Sequence, residues 1–193
     1  MLDKKISQIK RRIESFAEKG IIKKEKEKDF VQFFLNNAKN SLETAELLLK
    51  VSTDNNFKNT IGIPGFNGLL WVINSSYYSM FYTARALLEN EGIKIKTEMS
   101  IHSITFDALV YYFYLSGKLQ KELIEDFAEA KEEASEILGS EKAKELIENY
   151  FYERRKREKF TYEMGNIVIQ QKAKTSLDRA RKFNEEIRKI IEK

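Results

Sequence analysis

The stretch from Trp71 to Gly92, WVINSSYYSMFYTARALLENEG, constrains the rest of the chain more than any other. Trp71, Tyr78, Phe81, Tyr82 and Leu88 recur at mixed three- and four-residue steps, while Ala84, Ala86 and Leu87 fill the gaps. The step is that of an α-helix, and apolar surface wraps much of its circumference. Such a helix needs cover on several sides, so the stretch is predicted to be a central helix with others packed around it. The small residues Ser75, Ser76, Ser79 and Ala84 allow those neighbours to come close, and Gly92 stands where a left-handed C-terminal cap is expected.

Composition agrees with a helical domain. A chain of 193 residues is long enough for one domain with a proper core and short for two large ones. One Pro, eight Gly and 33% charged residues, with apolar positions at helical rather than alternating spacing, predict an all-α fold with no strands. The absence of cysteine excludes disulfides and thiolate metal or redox chemistry. No charged-then-apolar leader and no long uncharged run is seen, so a cytoplasmic protein with no membrane association is expected. A net charge of +4 is mild, and a nucleic-acid partner would need its cations clustered on one surface.

Taken in order, Leu2 to Lys19 carries Ile6, Ile9, Ile13 and Phe16 on one stripe and ends at Gly20. It reads as an amphipathic helix that docks on the core or on a second subunit. Residues 1–28 are therefore set apart as an N-terminal extension, and residues 29–193 as the helical bundle. Lys23 to Asp29, KKEKEKD, reads as a charged hinge or the first turns of the next helix. Phe30 to Lys50 has core-helix spacing in Phe34, Leu35, Ala38, Leu42, Ala45, Leu48 and Leu49. Val51 to Gly68, with Ile61-Gly62-Ile63-Pro64-Gly65 at its centre, reads as a long loop, and Asn67 as a cap of the central helix. Ser100 is predicted to cap a helix running through Phe106, Leu109, Val110 and Phe113 to a stop at Gly117. Tyr111, Tyr112 and Tyr114 within it are assigned to core and interface. Helices are also expected over Lys121 to Leu138, Glu141 to about Lys159, and Ile167 to Glu192, the last with Ala173, Leu177, Ala180, Phe183 and Ile187 facing inward.

Glu153 to Tyr162, ERRKREKFTY, holds the densest local set of cations. Arg154, Arg155, Lys156, Arg157 and Lys159 suit phosphodiester contact, because a guanidinium grips phosphate bidentately and stays charged. A solvated helix end, its cations paired with Glu153 and Glu158, accounts for the same composition.

Tyr77-Tyr78-Ser79-Met80-Phe81, continuing through Ala84-Arg85-Ala86-Leu87-Leu88 to Gly92-Ile93, resembles the HEPN superfamily of small prokaryotic helical domains. The resemblance spans about Phe30 to the C-terminus. It implies an up-and-down HEPN-like helical bundle, here with an extra N-terminal helix, and a homodimer formed through the central helices and the Arg segment. Many HEPN domains carry an Arg, four to six residues and a His late in the fold, forming a metal-independent ribonuclease site across the dimer. Here His102 is the sole histidine and lies far from that segment. Reading Arg157-x4-Tyr162 resembles the Arg-x4-Tyr ending of an HEPN branch with the same Tyr-Tyr-x-Met-Phe helix. The other register, Arg155-x4-Phe160-x-Tyr162, places Tyr162 where toxin members carry a tyrosine modified by a partner nucleotidyltransferase.

What the resemblance implies is binding of RNA or a nucleotide, with Arg154, Arg155 and Arg157 on phosphate, Tyr162 on base or ribose, and Asn74 in support. A small nucleotidyltransferase is the implied partner for the toxin–antitoxin arrangement. Cleavage would need a base near neutrality, which a tyrosine with a pKa of about 10 is not. An active ribonuclease would thus rely on Arg157 with Tyr162 or His102; the third reading is a non-catalytic dimeric scaffold. His102 stands where related domains show a Thr-His or Ser-His pair at a helix start. No cofactor and no metal is implied.

Overall fold

A computed structural model describes residues 5–97, 99–138 and 159–192. The elements are α1 (Ile6–Glu18), β1 (Ile22–Lys24), α2 (Val31–Thr53), α3 (Asn55–Thr60), α4 (Leu69–Asn90), β2 (Ile93–Ile95), α5 (Ile101–Leu109) with a π-helical turn (Val110–Tyr114), α6 (Lys121–Leu138) and α7 (Lys159–Ile191). The architecture is an all-α bundle with one small ribbon. Among the described residues, no helix is long and apolar enough to cross a membrane.

The central position of α4 follows from its sequence. Val72, Ile73, Met80, Ala84, Leu87 and Leu88 are all essentially inaccessible, and α4 touches α2, α5, α6, α7 and β2. Small residues let the helices close on one another. Ala38, Ala45, Ser79, Ala84, Ala173 and Ala180 are fully buried, and a polar relay crosses three helices at this point. Asn184 Nδ2 of α7 donates to Ser79 Oγ of α4 (2.7 Å), which donates to the Ala38 carbonyl of α2 (2.7 Å). A larger side chain at Ser79 would displace both neighbours.

The stripe of α1 docks on its own chain. Ile9 and Ile13 join the core that holds Phe113, Phe127 and Phe183. Arg12 adds a bidentate pair to the buried Asp107 of α5, at 2.7 and 2.9 Å. On the far side, Arg179 of α7 reaches Asp126 (3.5 Å), Glu129 (3.0 Å) and Glu133 (3.1 Å) of α6. These charge-assisted contacts fix the rotation of α1 and α7 about stripes that the hydrophobic effect alone leaves loosely specified.

Several expectations are corrected. The start of the charged hinge is a strand: Ile22–Lys24 pairs antiparallel with Ile93–Ile95, Lys23 opposite Lys94. Ile22, Ile93 and Ile95 point into the core, so the ribbon is a lid stitched over the end of α4. The presumed loop after Val51 contains α3, which Asp54 caps by accepting from the Phe57 N–H at 2.9 Å. Trp71, read as inward, is 59% exposed. Ser100 precedes α5 but gives it no side-chain cap; it holds a left-handed φ of 56° instead. The last helix starts at Lys159 and runs through Gly165 rather than beginning at Ile167. The proposed helix from Glu141 lies almost wholly outside the described residues.

Candidate functional site

Apart from Leu70 and Asn90 at its two ends, the positions of α4 that the core leaves partly uncovered make a single stripe: Trp71, Ser75, Tyr78, Tyr82 and Arg85, at alternating four- and three-residue steps. That spacing keeps them on one side of the helix. The start of α2 runs beside this stripe and presents Phe30 and Phe33, each 56% exposed, and the half-buried Phe34. The rings form an unbroken series. Phe30 meets Phe33 edge-on at 6.3 Å, Phe33 meets Phe34 at 5.5 Å, Phe34 stacks on Tyr82 at 6.5 Å, and Tyr82 meets Tyr78 at 6.1 Å. Tyr78 then meets the His102 ring at 5.6 Å.

His102 enters from the first turn of α5, which the ribbon and the left-handed Ser100 bring against α4. Its ring lies 4.3 Å from that of Phe81, and its Nδ1 is 2.7 Å from the Tyr77 hydroxyl. Tyr77 is buried, and among the described residues its hydroxyl has no other acceptor, so it is assigned as the donor to Nδ1. The ring proton then resides on Nε2. Burial pushes the His102 pKa below its ordinary 6.5, assisted by the nearby charges of Lys131 and Arg85. Burial also raises the Tyr77 phenol, which therefore keeps its proton. At neutral pH this pair offers a neutral N–H donor at Nε2. A general base needs an accepting nitrogen, which this tautomer has committed to Tyr77.

With the folded pKa depressed, the unfolded chain takes up the proton first, so the contribution of His102 is present above about pH 6.5 and lost on acidification below it. Denaturant melts of wild type and His102→Gln between pH 7.5 and 5.5 should show the steeper loss in wild type; equal slopes would remove His102 from the account.

Arg85 ends the stripe. Its guanidinium lies over the Phe34 ring, 4.7 Å from the centroid, and burial lowers its pKa. Helical spacing places it near Glu89, whose charge acts on it through space, but the hydrogen bonds of Glu89 go elsewhere. The Lys94 ammonium and the Phe30 N–H (3.2 Å) both donate to Glu89 Oε1. Among the described residues Arg85 makes no hydrogen bond or ion pair with a carboxylate. It borders a hollow of about 480 Å³ whose other walls are Ile95, Lys96, Thr97 and Ile101.

A larger groove of about 970 Å³ runs between α1, α5 and α6, floored by Ile9, Ile104 and Ile124. Several of its charges are already engaged, Arg12 with Asp107, Lys131 with Ser103 at 2.9 Å and Glu129 with Arg179, and the rest are of mixed sign, Lys5 against Glu132 and Glu136. The stripe of α4 is the better candidate on chemical grounds, since it sets a cation that no described carboxylate hydrogen-bonds beside a run of partly exposed rings.

Of the residues singled out by sequence, His102 is in the ring series. Asn74 is buried on the inner side of α4, and its Oδ1 has no partner among the described residues. Arg154, Arg155 and Arg157 lie outside the described residues, and of Tyr162 only its place in the first turn of α7 is described. The stripe spacing was available to sequence reading. The contacts of Phe34 with Arg85 and of Tyr77 with His102 were not, because each joins separate helices. No family model, no curated protein and no solved structure matches the chain.

Proposed function

We propose that this chain binds single-stranded RNA or a nucleotide on the outer stripe of α4, as a non-cleaving HEPN-like module. The observation that carries the reading is the unbroken, partly exposed ring series from Phe30 to Tyr78 with Arg85, hydrogen-bonded to no described carboxylate, at its edge. Bases stack on such rings with little sequence preference, each contributing about 1–3 kcal/mol, while cations follow the phosphates. Arg154, Arg155 and Arg157 are the further phosphate contacts that the HEPN resemblance supplies, with Tyr162 on base or ribose. The same resemblance supplies a homodimer, whose seam falls to the Arg segment in this reading because RNA occupies the uncovered stripe of α4, and a small nucleotidyltransferase as partner. Against a ribonuclease stands the tautomer of His102, which makes it a donor to a phosphate oxygen rather than a base.

Fluorescence anisotropy with a labelled single-stranded RNA of about 12 nucleotides tests this. Tyr82→Ala is expected to weaken binding about tenfold by removing one stacking platform, and Arg157→Ala to weaken it and flatten its salt dependence. Wild-type affinity in both variants, with the fold intact by circular dichroism, would refute the reading.

A further inference from the structure

We infer that the hollow beside Arg85 is a binding site for a phosphate group, of the monoester class that a nucleotide carries. The inference rests on the nucleotide-binding reading for its choice of ligand, and the experiment below separates the two.

Arg85 and Glu89 are four residues apart on α4, the spacing at which opposite charges normally neutralise each other. Lys94, brought over by the ribbon, takes Glu89 instead, and the Phe30 N–H shares the same oxygen. Arg85 is thereby left half-buried, with one face against Phe34 at 4.7 Å. A stacked guanidinium keeps its N–H edge for an in-plane, bidentate acceptor. Glu89 still acts on this charge through space, but none of the described carboxylates hydrogen-bonds to it, and desolvation favours an anion in direct contact.

The remaining walls favour phosphate over carboxylate. Lys96 supplies a second cation, and Thr97 a hydroxyl that already accepts from the Met99 N–H at 3.2 Å and so has its proton to give. A planar carboxylate would use the edge of Arg85 alone, whereas a tetrahedral group with three outer oxygens can take Arg85, Lys96 and Thr97 together. Glu25 holds Lys96 at 3.0 Å, but both partners are partly exposed. Such a pair is weak enough for a phosphate dianion to compete with it. The hollow, about 480 Å³, has room for the group and its adjoining sugar. Ile95 and Ile101 give that sugar an apolar surface.

Calorimetric titration of the full chain with adenosine 5′-monophosphate, adenosine and inorganic phosphate provides the test. The monophosphate should bind at least tenfold tighter than adenosine, and inorganic phosphate should compete with it. Arg85→Gln should lose at least tenfold, Arg85→Lys less, and the exposed Lys96→Gln a few-fold; the last two guard against a folding defect in the first. Acetate in place of phosphate should compete poorly. Wild-type affinity for the monophosphate in both Arg85→Gln and Lys96→Gln, equal binding of monophosphate and adenosine, or equal competition by acetate would overturn the phosphate assignment. A 5′-hydroxyl RNA retained through Tyr82, with no preference for the monophosphate, would leave the RNA reading standing and end this one. Arg85-dependent binding of the monophosphate without RNA retention would do the reverse.

Discussion

Replacing Glu89 with alanine is expected to destabilise the fold by about 3–5 kcal/mol, because it leaves the Lys94 ammonium buried without its counter-charge. The two side chains are 4% and 9% exposed, and they meet at the point where β2 crosses the end of α4. Glu89 has a second role there. Phe30 begins α2 without a side-chain cap of its own, and Glu89 Oε1 accepts from the Phe30 N–H, placing a carboxylate at the positive end of that helix. The alanine therefore strands an ammonium and a backbone N–H together. A fall in melting temperature of about 10 °C is the corresponding readout for a domain of this size. The double change Glu89→Leu with Lys94→Met should recover the ammonium's share of the loss, since two apolar side chains need no compensation, and leave the share of the Phe30 N–H. If the single alanine variant melted with the wild type, the buried pair would not be holding the ribbon to α2 and α4.

Gly92→Ala should be the other large loss, of at least about 2 kcal/mol. Gly92 has a φ of +75°, which costs a non-glycine residue about 1–2 kcal/mol. Space is the greater obstacle. A Cβ here would stand 2.1 Å from the Glu25 carbonyl oxygen, a backbone atom of the segment whose N–H donates to the Gly92 carbonyl at 2.8 Å. The ribbon would have to part at its first hydrogen bond. Gly117 is the matched control: its φ is also +75°, but a Cβ there meets nothing within 4 Å. Thermal melts of Gly92→Ala and Gly117→Ala thus separate crowding from backbone strain. Equal losses in the two would mean that the approach of the Glu25 backbone to Gly92 does not constrain the fold.

These two positions show what the sequence reveals and what it hides. Gly92 was legible as a left-handed helix end, because the helical pattern of α4 stops there. Its partner at Glu25 was not, since strands as short as Ile22–Lys24 and Ile93–Ile95 offer no alternation to detect and their pairing spans most of the chain's first half. The stripes of α1 and α7 were legible for the converse reason: Ile9, Ile13, Leu177, Phe183 and Ile187 repeat at helical spacing and are buried as expected. Trp71 failed because large apolar residues were assumed to face inward, whereas α4 leaves one stripe uncovered.

The site divides along the same line. His102 was visible as a histidine at a helix start, but its hydrogen bond to Tyr77, from which its tautomer is assigned, belongs to the packing of α5 on α4. Arg85 sat unremarked within an Ala-Arg-Ala run, with Glu89 at the right distance to neutralise it. Only the arrival of Lys94 along β2 draws the hydrogen bonds of Glu89 away from it.

The most direct measurement of the central claim is ultraviolet cross-linking of the chain to a single-stranded RNA, with the attachment sites mapped by mass spectrometry. Adducts on Phe34, Tyr78 or Tyr82 are predicted, diminished when Arg85 is changed to Gln. Adducts confined to peptides away from α2 and α4, or no adducts under conditions where RNA is retained, would contradict the assignment of this stripe as the nucleic-acid surface.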